Sequence, residues 1–209
     1  MKKNPLLVFG NVPVQADAIS TCYPGLSAPA EKILALERDG QIIRLKRGLY
    51  MVAPDLSGKP VSPGLCANHI YGPSYVSFHW ALRWYGLIPE RVFQMTSATT
   101  KRSRTFDNAL GRFDYYQVPD GYYSIGLRSE EADGVSFLIA SPEKALCDFI
   151  LRDRYVPERS VKRLAQYLEE DIRFDVDELS DFETDIIEAC AEYGRKAEIL
   201  NNLVKLIKR

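Results

Sequence analysis

Residues 39–50, with the sequence DGQIIRLKRGLY, predict a short β-hairpin whose turn is rich in cations. Two apolar runs, Gln41–Leu45 and Leu49–Ala53, have the length and composition of strands. The tripeptide Lys46-Arg47-Gly48 that joins them ends in the glycine that a tight turn favours. We therefore expect two antiparallel strands with basic residues at the tip of the hairpin.

Two helical patterns precede this hairpin. Val14–Cys22 predicts a short helix, and Ala30–Arg38 predicts a second one with Ser27 at its cap and Pro29 in its first turn. In the second helix we expect three apolar side chains to face inward, namely Ile33, Leu34 and Leu36. The order of two helices and a hairpin is typical of a winged helix-turn-helix domain, which we place at residues 1–54.

The side chains of the first strand alternate between its two faces, and the sequence leaves their assignment open. Either Ile43 and Leu45 face the core while Ile42 and Arg44 face outward, or the reverse holds. In both cases Lys46 and the arginine after it lie at the tip.

Cations at a hairpin tip have two interpretations. They can contact the phosphate backbone of a nucleic acid, which gives affinity without reading the base sequence. They can equally belong to a solvated turn. The helices that precede Lys46 and Arg47 favour nucleic acid.

The remainder of the chain predicts a larger α+β domain. Residues 55–64, rich in proline, glycine and serine, predict a linker to a mixed domain at residues 65–209. We expect an amphipathic helix at Val76–Tyr85 with Val76, Trp80, Ala81 and Trp84 on one face. Strands are predicted to follow at Arg91–Thr96, Gly111–Val118, Tyr122–Leu127 and Val135–Ile139. The end of the chain is helical, with predicted helices starting at Ser141 and covering Val161–Leu168, Phe182–Tyr193 and Lys196–Lys208.

A second basic cluster lies in this larger domain. Lys101, Arg102 and Arg104 alternate with serine and threonine, a composition that suits the recognition of phosphate or carboxylate. Such residues also protect exposed strand edges from unwanted pairing. The sequence does not decide between these roles.

The overall composition indicates a water-soluble globular chain. Of 209 residues 46% are hydrophobic, and no window resembles a membrane span, so we expect a cytoplasmic protein without membrane contact. The net charge of −1 is unevenly distributed, because the front of the chain is mildly basic and the back is acidic. Nine acidic residues lie between Glu169 and Asp185, where a solvated face is the simplest interpretation.

Motifs for catalysis and for cofactors are absent from the sequence. There is no glycine-rich phosphate loop and no nucleophile elbow, and the four cysteines show neither zinc spacing nor a disulfide framework. A metal-dependent nuclease would need converging acidic residues, for which Asp114, Asp120 and Glu143 are the candidates. Glu143 and Lys144, however, are adjacent at the start of a predicted helix and point to different faces. We therefore predict no enzyme activity, no metal and no cofactor.

Three blocks of sequence resemble AbiEi-type antitoxins, the transcriptional regulators of type IV toxin–antitoxin systems. DGQIIRLKRGLYMVAP is similar to the winged-helix domain of that family. Tyr71–Val118 (YGPSYVSFHWALRWYGLIPERVFQMTSATTKRSRTFDNALGRFDYYQV) and Leu138–Ile150 (LIASPEKALCDFI) resemble its antitoxin domain without gaps. The resemblance therefore covers most of the chain up to its last ~55 residues.

The resemblance implies a protein with two tasks. The N-terminal domain would bind inverted repeats in the promoter of its own operon, and the C-terminal domain would neutralise a nucleotidyltransferase toxin in a system of phage defence. The DNA contacts carried over to this chain are Lys32, Arg44, Lys46 and Arg47. The second basic cluster (Lys101, Arg102 and Arg104) would contact nucleic acid or the partner. The alternative is an interaction module whose winged domain no longer binds DNA.

Overall fold

Residues 4–89, 93–157 and 160–208 are described by the computed structural model, and they form a mixed α+β structure with two sheets. The N-terminal part starts with a 3-10 helix at Pro5–Phe9. Its further elements are β1 (Val14–Gln15), α1 (Ala16–Thr21), α2 (Pro29–Arg38), β2 (Ile42–Lys46), β3 (Leu49–Val52) and α3 (Pro54–Ser57). The three strands form an antiparallel sheet in the order β1-β3-β2. The predicted hairpin is therefore confirmed, with a third strand beside it.

Helix α2 differs from its prediction at its start and on one face. It begins at Pro29 after the cap residue Ala28, which has no side-chain hydrogen bond, so the predicted cap at Ser27 is wrong. Ile33 and Leu36 are buried, whereas Leu34 is 57% exposed. Residues three apart share a helix face, while each single step turns the side chain by about 100°, and Leu34 consequently leaves the buried stripe.

The larger sheet holds six strands in the order β6-β7-β5-β4-β9-β8. The elements that follow α3 are α4 (Pro63–Ile70), β4 (Ser74–Val76), α5 (Phe78–Trp84), β5 (Met95–Thr99), β6 (Arg104–Asn108), β7 (Gly111–Gln117), α6 (Asp120–Tyr123), β8 (Leu127–Ala132), β9 (Val135–Ala140), α7 (Pro142–Arg152), α8 (Val161–Glu170), a 3-10 helix at Val176–Asp181, α9 (Thr184–Tyr193) and α10 (Ala197–Ile207). The sheet is mixed, because β4 pairs antiparallel with β5 and parallel with β9.

Two predicted strands of this sheet are displaced or absent. The strand predicted at Tyr122–Leu127 is wrong, because Asp120–Tyr123 is helical and the strand begins only at Leu127. The two tyrosines have high β-propensity, but Tyr122 is completely buried against the helices, and tertiary packing outweighs such a preference. The strand predicted at Arg91–Thr96 begins at Met95, and residues 91 and 92 of that prediction lie outside the described residues.

The face predicted for α5 is buried in part, because Val76 and Ala81 are buried and Trp80 packs on the large core. Phe78, Ala81 and Leu82 are buried, whereas Trp84 is 40% exposed and stacks on Trp80 with ring centroids 5.4 Å apart. The helix is shorter than its pattern because Val76 belongs to β4 and Ser77, which is extended, is the cap residue before Phe78.

The hairpin β2–β3 has two buried faces. Ile42 and Val52 pack into a small core with α1 and α2, whereas Leu45 and Met51 pack into the large core of the rest of the chain. A bulge between Arg44 and Lys46 disturbs the alternation of β2. Neither predicted arrangement of β2 is therefore correct, because both sides of the hairpin are buried, each against a different core.

Residues 55–64, predicted as a linker, lie partly in helices. The segment contains most of α3 and the start of α4, and the buried Ser62 caps α4 by accepting a hydrogen bond from the amide of Leu65. The hairpin lies on the large core next to this segment. The division into domains at 1–54, 55–64 and 65–209 stays a prediction.

Serine caps begin two of the C-terminal helices. Ser141 accepts a hydrogen bond from the amide of Lys144 and Ser160 accepts one from the amide of Arg163, so the predicted cap at Ser141 is confirmed. The nine acidic side chains between Glu169 and Asp185 are all exposed, as expected for a solvated face. The four cysteines are free thiols, and three of them are buried.

Candidate nucleic-acid interface

The tip of the hairpin is shaped by a glycine and a bulge. Gly48 has a φ of 79°, a left-handed conformation that costs other residues energy and that closes the turn after Arg47. The bulge pairs Lys46 with Leu49, so that the lysine departs from the alternation of β2. Arg47 is exposed, and its side chain makes no ion pair with any described residue.

Lys46 is half-buried and lies at the end of α4. Its Nζ donates a hydrogen bond to the carbonyl oxygen of Ile70 at 2.6 Å, a carbonyl in the last turn of the helix. Burial lowers the pKa of Lys46, and the positive charges of Lys101 and Arg104 lower it further. These two residues belong to the second basic cluster, so the fold brings Lys46 close to that cluster.

The second cluster is ordered by contacts with backbone and aromatic groups. Lys101 donates from Nζ to the carbonyl oxygen of Gly72 at 2.5 Å and lies over the ring of Tyr71 at 5.4 Å. The guanidinium of Arg104 lies over the ring of Phe106 at 4.9 Å. Since these cations pack on rings, their flexible stems are partly ordered while all three charged groups of the cluster remain exposed.

Three aromatic residues support these cations. The rings of Tyr71, Phe106 and Tyr115 lie within 5.4–5.7 Å of one another. The hydroxyl of Tyr115 donates to the carbonyl oxygen of Ala67 at 2.7 Å, and that of Tyr71 donates to the carbonyl oxygen of Arg102 at 3.2 Å. Tyr71 and Phe106 are not among the residues predicted from the sequence. The alternation of β6 does place Phe106 on the same face as Arg104.

The face of β6 opposite to its aromatic residue carries carboxylates, together with Arg112 of β7. Thr105 and Asp107 alternate with the residues of the aromatic face, and they pair with Asp114 and Arg112 on β7. Asp114 is buried and accepts hydrogen bonds from the hydroxyl of Thr105 at 2.6 Å and from the guanidinium of Arg112 at 3.1 Å. The carboxylates of this hairpin thus lie on the face opposite to Arg104.

A polar contact joins the hairpin to β6. The side-chain amide of Asn108 donates to the carbonyl oxygen of Leu45 at 3.0 Å, and Leu45 itself is buried in the large core. This contact holds β2 next to β6. We refer to the resulting surface as the basic patch, and its residues are Lys46, Arg47, Lys101, Arg102 and Arg104.

The other two predicted DNA contacts lie outside the basic patch. Arg44 forms an ion pair with Glu37 of α2, with 2.6 Å between the charged atoms, and lies 5.7 Å from the ring of Tyr50. Lys32 lies over the ring of Tyr23 at 4.8 Å. The structure therefore does not bring the four predicted contacts together, because two belong to the helical side of the N-terminal part.

The acidic residues considered for a nuclease do not converge. Glu143 is buried and accepts a hydrogen bond from the amide of Glu183, whereas the adjacent Lys144 turns toward the carbonyl oxygen of Tyr122. Asp120 opens α6. Within residues 4–89, 93–157 and 160–208, no group of three or more His, Cys, Asp or Glu side chains could hold a metal ion. Across the same ranges no helix is both long and apolar enough to cross a bilayer.

Comparison with known proteins gives a likeness in fold. No family model and no curated protein matches the chain. The crystal structure of the RV2827C protein from Mycobacterium tuberculosis superimposes with a TM-score of 0.50 at 13% sequence identity. The match covers 98% of this chain and 80% of the other one, so it extends over the whole order of elements.

Proposed function

We propose that the protein is a DNA-binding regulator that contacts phosphate through the basic patch, and that it also acts as an antitoxin. Lys46 and Lys101 donate to the carbonyl oxygens of Ile70 and Gly72, which are two residues apart, and this proximity carries the first half of the proposal. Like charges repel, and cations held together raise the local potential that attracts a polyanion. Binding of this kind releases counterions from the nucleic acid, and its strength falls with salt.

The order of the N-terminal elements supports a winged helix-turn-helix as the DNA-binding unit. Helices α1 and α2 contact each other and are followed by the hairpin that would serve as the wing. Lys32 on α2 and Arg47 at the tip are its available cations. The basic patch extends the phosphate-binding surface from this wing onto β6, and the bases would be read by α2.

Fluorescence anisotropy with labelled duplex DNA from upstream of the gene tests this half. We expect Arg47→Gln and Arg104→Gln each to weaken binding, because each removes a charge from the basic patch. Lys208→Gln is the matched control, since Lys208 is exposed and pairs with Glu188 on the C-terminal helices. Unchanged affinity in Arg104→Gln would refute the role of the second cluster.

The antitoxin half rests on the resemblance of Tyr71–Val118 and Leu138–Ile150 to the antitoxin domain. These segments form β4, β5 to β7 and the junction of β9 with α7, and they supply much of the large core. Co-expression with a nucleotidyltransferase toxin from the same operon tests it. The full-length chain is used, because Leu45, Leu49 and Met51 of the hairpin belong to that core and truncation would expose it. Growth arrest that persists in its presence would refute neutralisation.

A second candidate is an interaction module that does not bind DNA. Two of the predicted contacts already have partners within the chain, Arg44 with Glu37 and Lys46 with the carbonyl of Ile70. This alternative predicts toxin neutralisation together with no DNA binding even at low salt. The anisotropy experiment therefore separates the two functions.

A further inference from the structure

A cleft on the large domain combines arginines with aromatic walls. It consists of two adjoining cavities of about 650 and 460 Å³ that share Phe78, Arg152 and Arg154. Both volumes lie in the range of small-molecule sites, which is about 300–1,000 Å³. The cleft lies at the ends of α7 and β7 and next to the start of α5.

The larger cavity is lined by positive charge. Arg152, Arg154 and Arg195 are exposed along it, and among the described residues none of the three has a carboxylate partner. The guanidinium of Arg152 lies 3.2 Å from the ring centroid of Tyr116, which orders it while leaving the donors at its edge available. Arginine donors match the geometry of phosphate oxygens, so this cavity suits a phosphate group.

The carboxylates of the cleft already accept hydrogen bonds from other groups of the protein. Asp148 accepts hydrogen bonds from the hydroxyls of Ser77 and Tyr122, at 2.5 and 2.7 Å. Asp153 accepts from the amide of Tyr155 at 2.8 Å and from the hydroxyl of Tyr167. Their oxygens are therefore engaged, and the arginines are not neutralised by them through direct pairs.

The smaller cavity is aromatic. His79 and Phe149 contact edge to face with centroids 4.8 Å apart, and Tyr155 next to them is 85% exposed. Phe78, on the wall between the two cavities, has a φ of 59°, a conformation that is strained for an aromatic residue. Strain of this kind clusters at ligand sites, where the surrounding structure maintains it.

We propose that this cleft binds a mononucleotide, with its phosphate groups at Arg154 and Arg195 and its base against the aromatic side chains of the smaller cavity. A bare phosphate would contact only the arginines of the larger cavity. A nucleotide would contact these arginines and also the aromatic side chains of the smaller cavity. None of the five residues of the basic patch lines either cavity, although Ser103 of the larger cavity lies between Arg102 and Arg104 in the chain. The proposal does not depend on DNA binding.

Calorimetric titration of the full-length protein with ATP, adenosine and inorganic tripolyphosphate tests the proposal. We expect ATP to bind and the double variant Arg154→Gln/Arg195→Gln to weaken it by about tenfold or more, since charge-assisted hydrogen bonds to phosphate are lost. Both arginines are exposed, and a melting curve checks that the variant is folded. Arg128→Gln on β8 is the matched control, because β8 lies at the opposite edge of the sheet from the β6–β7 side.

The aromatic half has its own variant. Tyr155→Ala should weaken ATP by about fivefold or more through the lost base stacking and leave tripolyphosphate unchanged. The proposal would be overturned by no ATP binding at millimolar concentration, by an unaltered affinity in the double arginine variant, or by tripolyphosphate binding as tightly as ATP. A ten-nucleotide single strand that binds more tightly than ATP with the same arginine dependence would overturn it in favour of a polymer. Arg104→Gln should leave ATP binding intact.

Discussion

The buried ion pair of α7 gives the sharpest prediction about stability. Lys144 and Asp148 have no exposed side-chain surface, and 3.8 Å separates Nζ from the nearest carboxylate oxygen. The ammonium donates to the carbonyl oxygen of Tyr122 at 2.7 Å, and the carboxylate accepts two hydroxyl hydrogen bonds. Replacing Lys144 by methionine keeps the volume and leaves a carboxylate without its counter-charge. We expect a loss of about 3–5 kcal/mol in the free energy of unfolding.

Chemical denaturation and thermal melting measure this loss. For a chain of this size one kcal/mol corresponds to about 2–4 °C, so Lys144→Met should lower Tm by roughly 6–20 °C. The control is Lys208→Met, whose pair with Glu188 is 58% and 49% exposed and should contribute less than about 1 kcal/mol. A cost for Lys144→Met no larger than that of the control would refute the reasoning.

The double variant and the pH dependence test the cause. Asp148→Asn removes the charge that Lys144→Met leaves unpaired, so the double variant should lose less than the sum of the singles. Burial raises the pKa of Asp148 and lowers that of Lys144, with each charge opposing the shift of the other. A carboxyl whose folded pKa is raised contributes most below its unfolded pKa and loses that contribution as pH rises. The deficit of Lys144→Met should therefore shrink toward pH 4, and a deficit independent of pH would contradict the assignment.

Three further substitutions test buried contacts of α4 and the contact between β6 and the hairpin. Gly64→Ala places a Cβ atom 2.4 Å from the buried ring of Phe137. We expect a loss of about 1–3 kcal/mol in the free energy of unfolding, measured by urea denaturation. Burial raises the pKa of the Cys66 thiol to about 12 from 9.0, so stability is retained below pH 9 and is lost as pH rises, by about 1.4 kcal/mol per pH unit. Cys66→Ala should flatten that decline between pH 9 and 11. Asn108→Ala removes the side-chain donor to the carbonyl oxygen of Leu45. We expect a loss of about 1–3 kcal/mol in the free energy of unfolding and faster amide exchange in the hairpin. Amide exchange as slow as in the wild type would contradict a stabilising role of that contact.

The local elements were largely predictable because their signals are local. The hairpin strands, the helix capped by Ser141 and the helical end of the chain follow from periodicity and caps over a few residues. The strand predicted at Tyr122–Leu127 failed because β-propensity reflects packing on a sheet, and here the tyrosines pack on helices instead. Leu34 was also predicted wrongly, because an apolar residue next to buried positions of a helix can itself lie on the exposed face.

The candidate sites were only partly predictable, because each depends on residues far apart in sequence. Both basic clusters were visible as runs of charge, but no local pattern shows that Lys46 lies next to Arg104. The two buried faces of the hairpin, which bring this about, arise from contacts with both cores. The arginines of the cleft are isolated in the sequence, and only the ends of α7 and α9 bring Arg154 and Arg195 to one cavity.

The salt dependence of DNA binding tests the central claim that the hairpin tip and β6 form one phosphate-binding surface. Plots of log K against log salt concentration have a slope of about −0.9 for each phosphate contact. Arg47→Gln/Arg104→Gln should therefore reduce the slope by about 1.8, with each single variant supplying about half of that. A slope equal to that of the wild type, or one that changes only with Arg47→Gln, would contradict the claim.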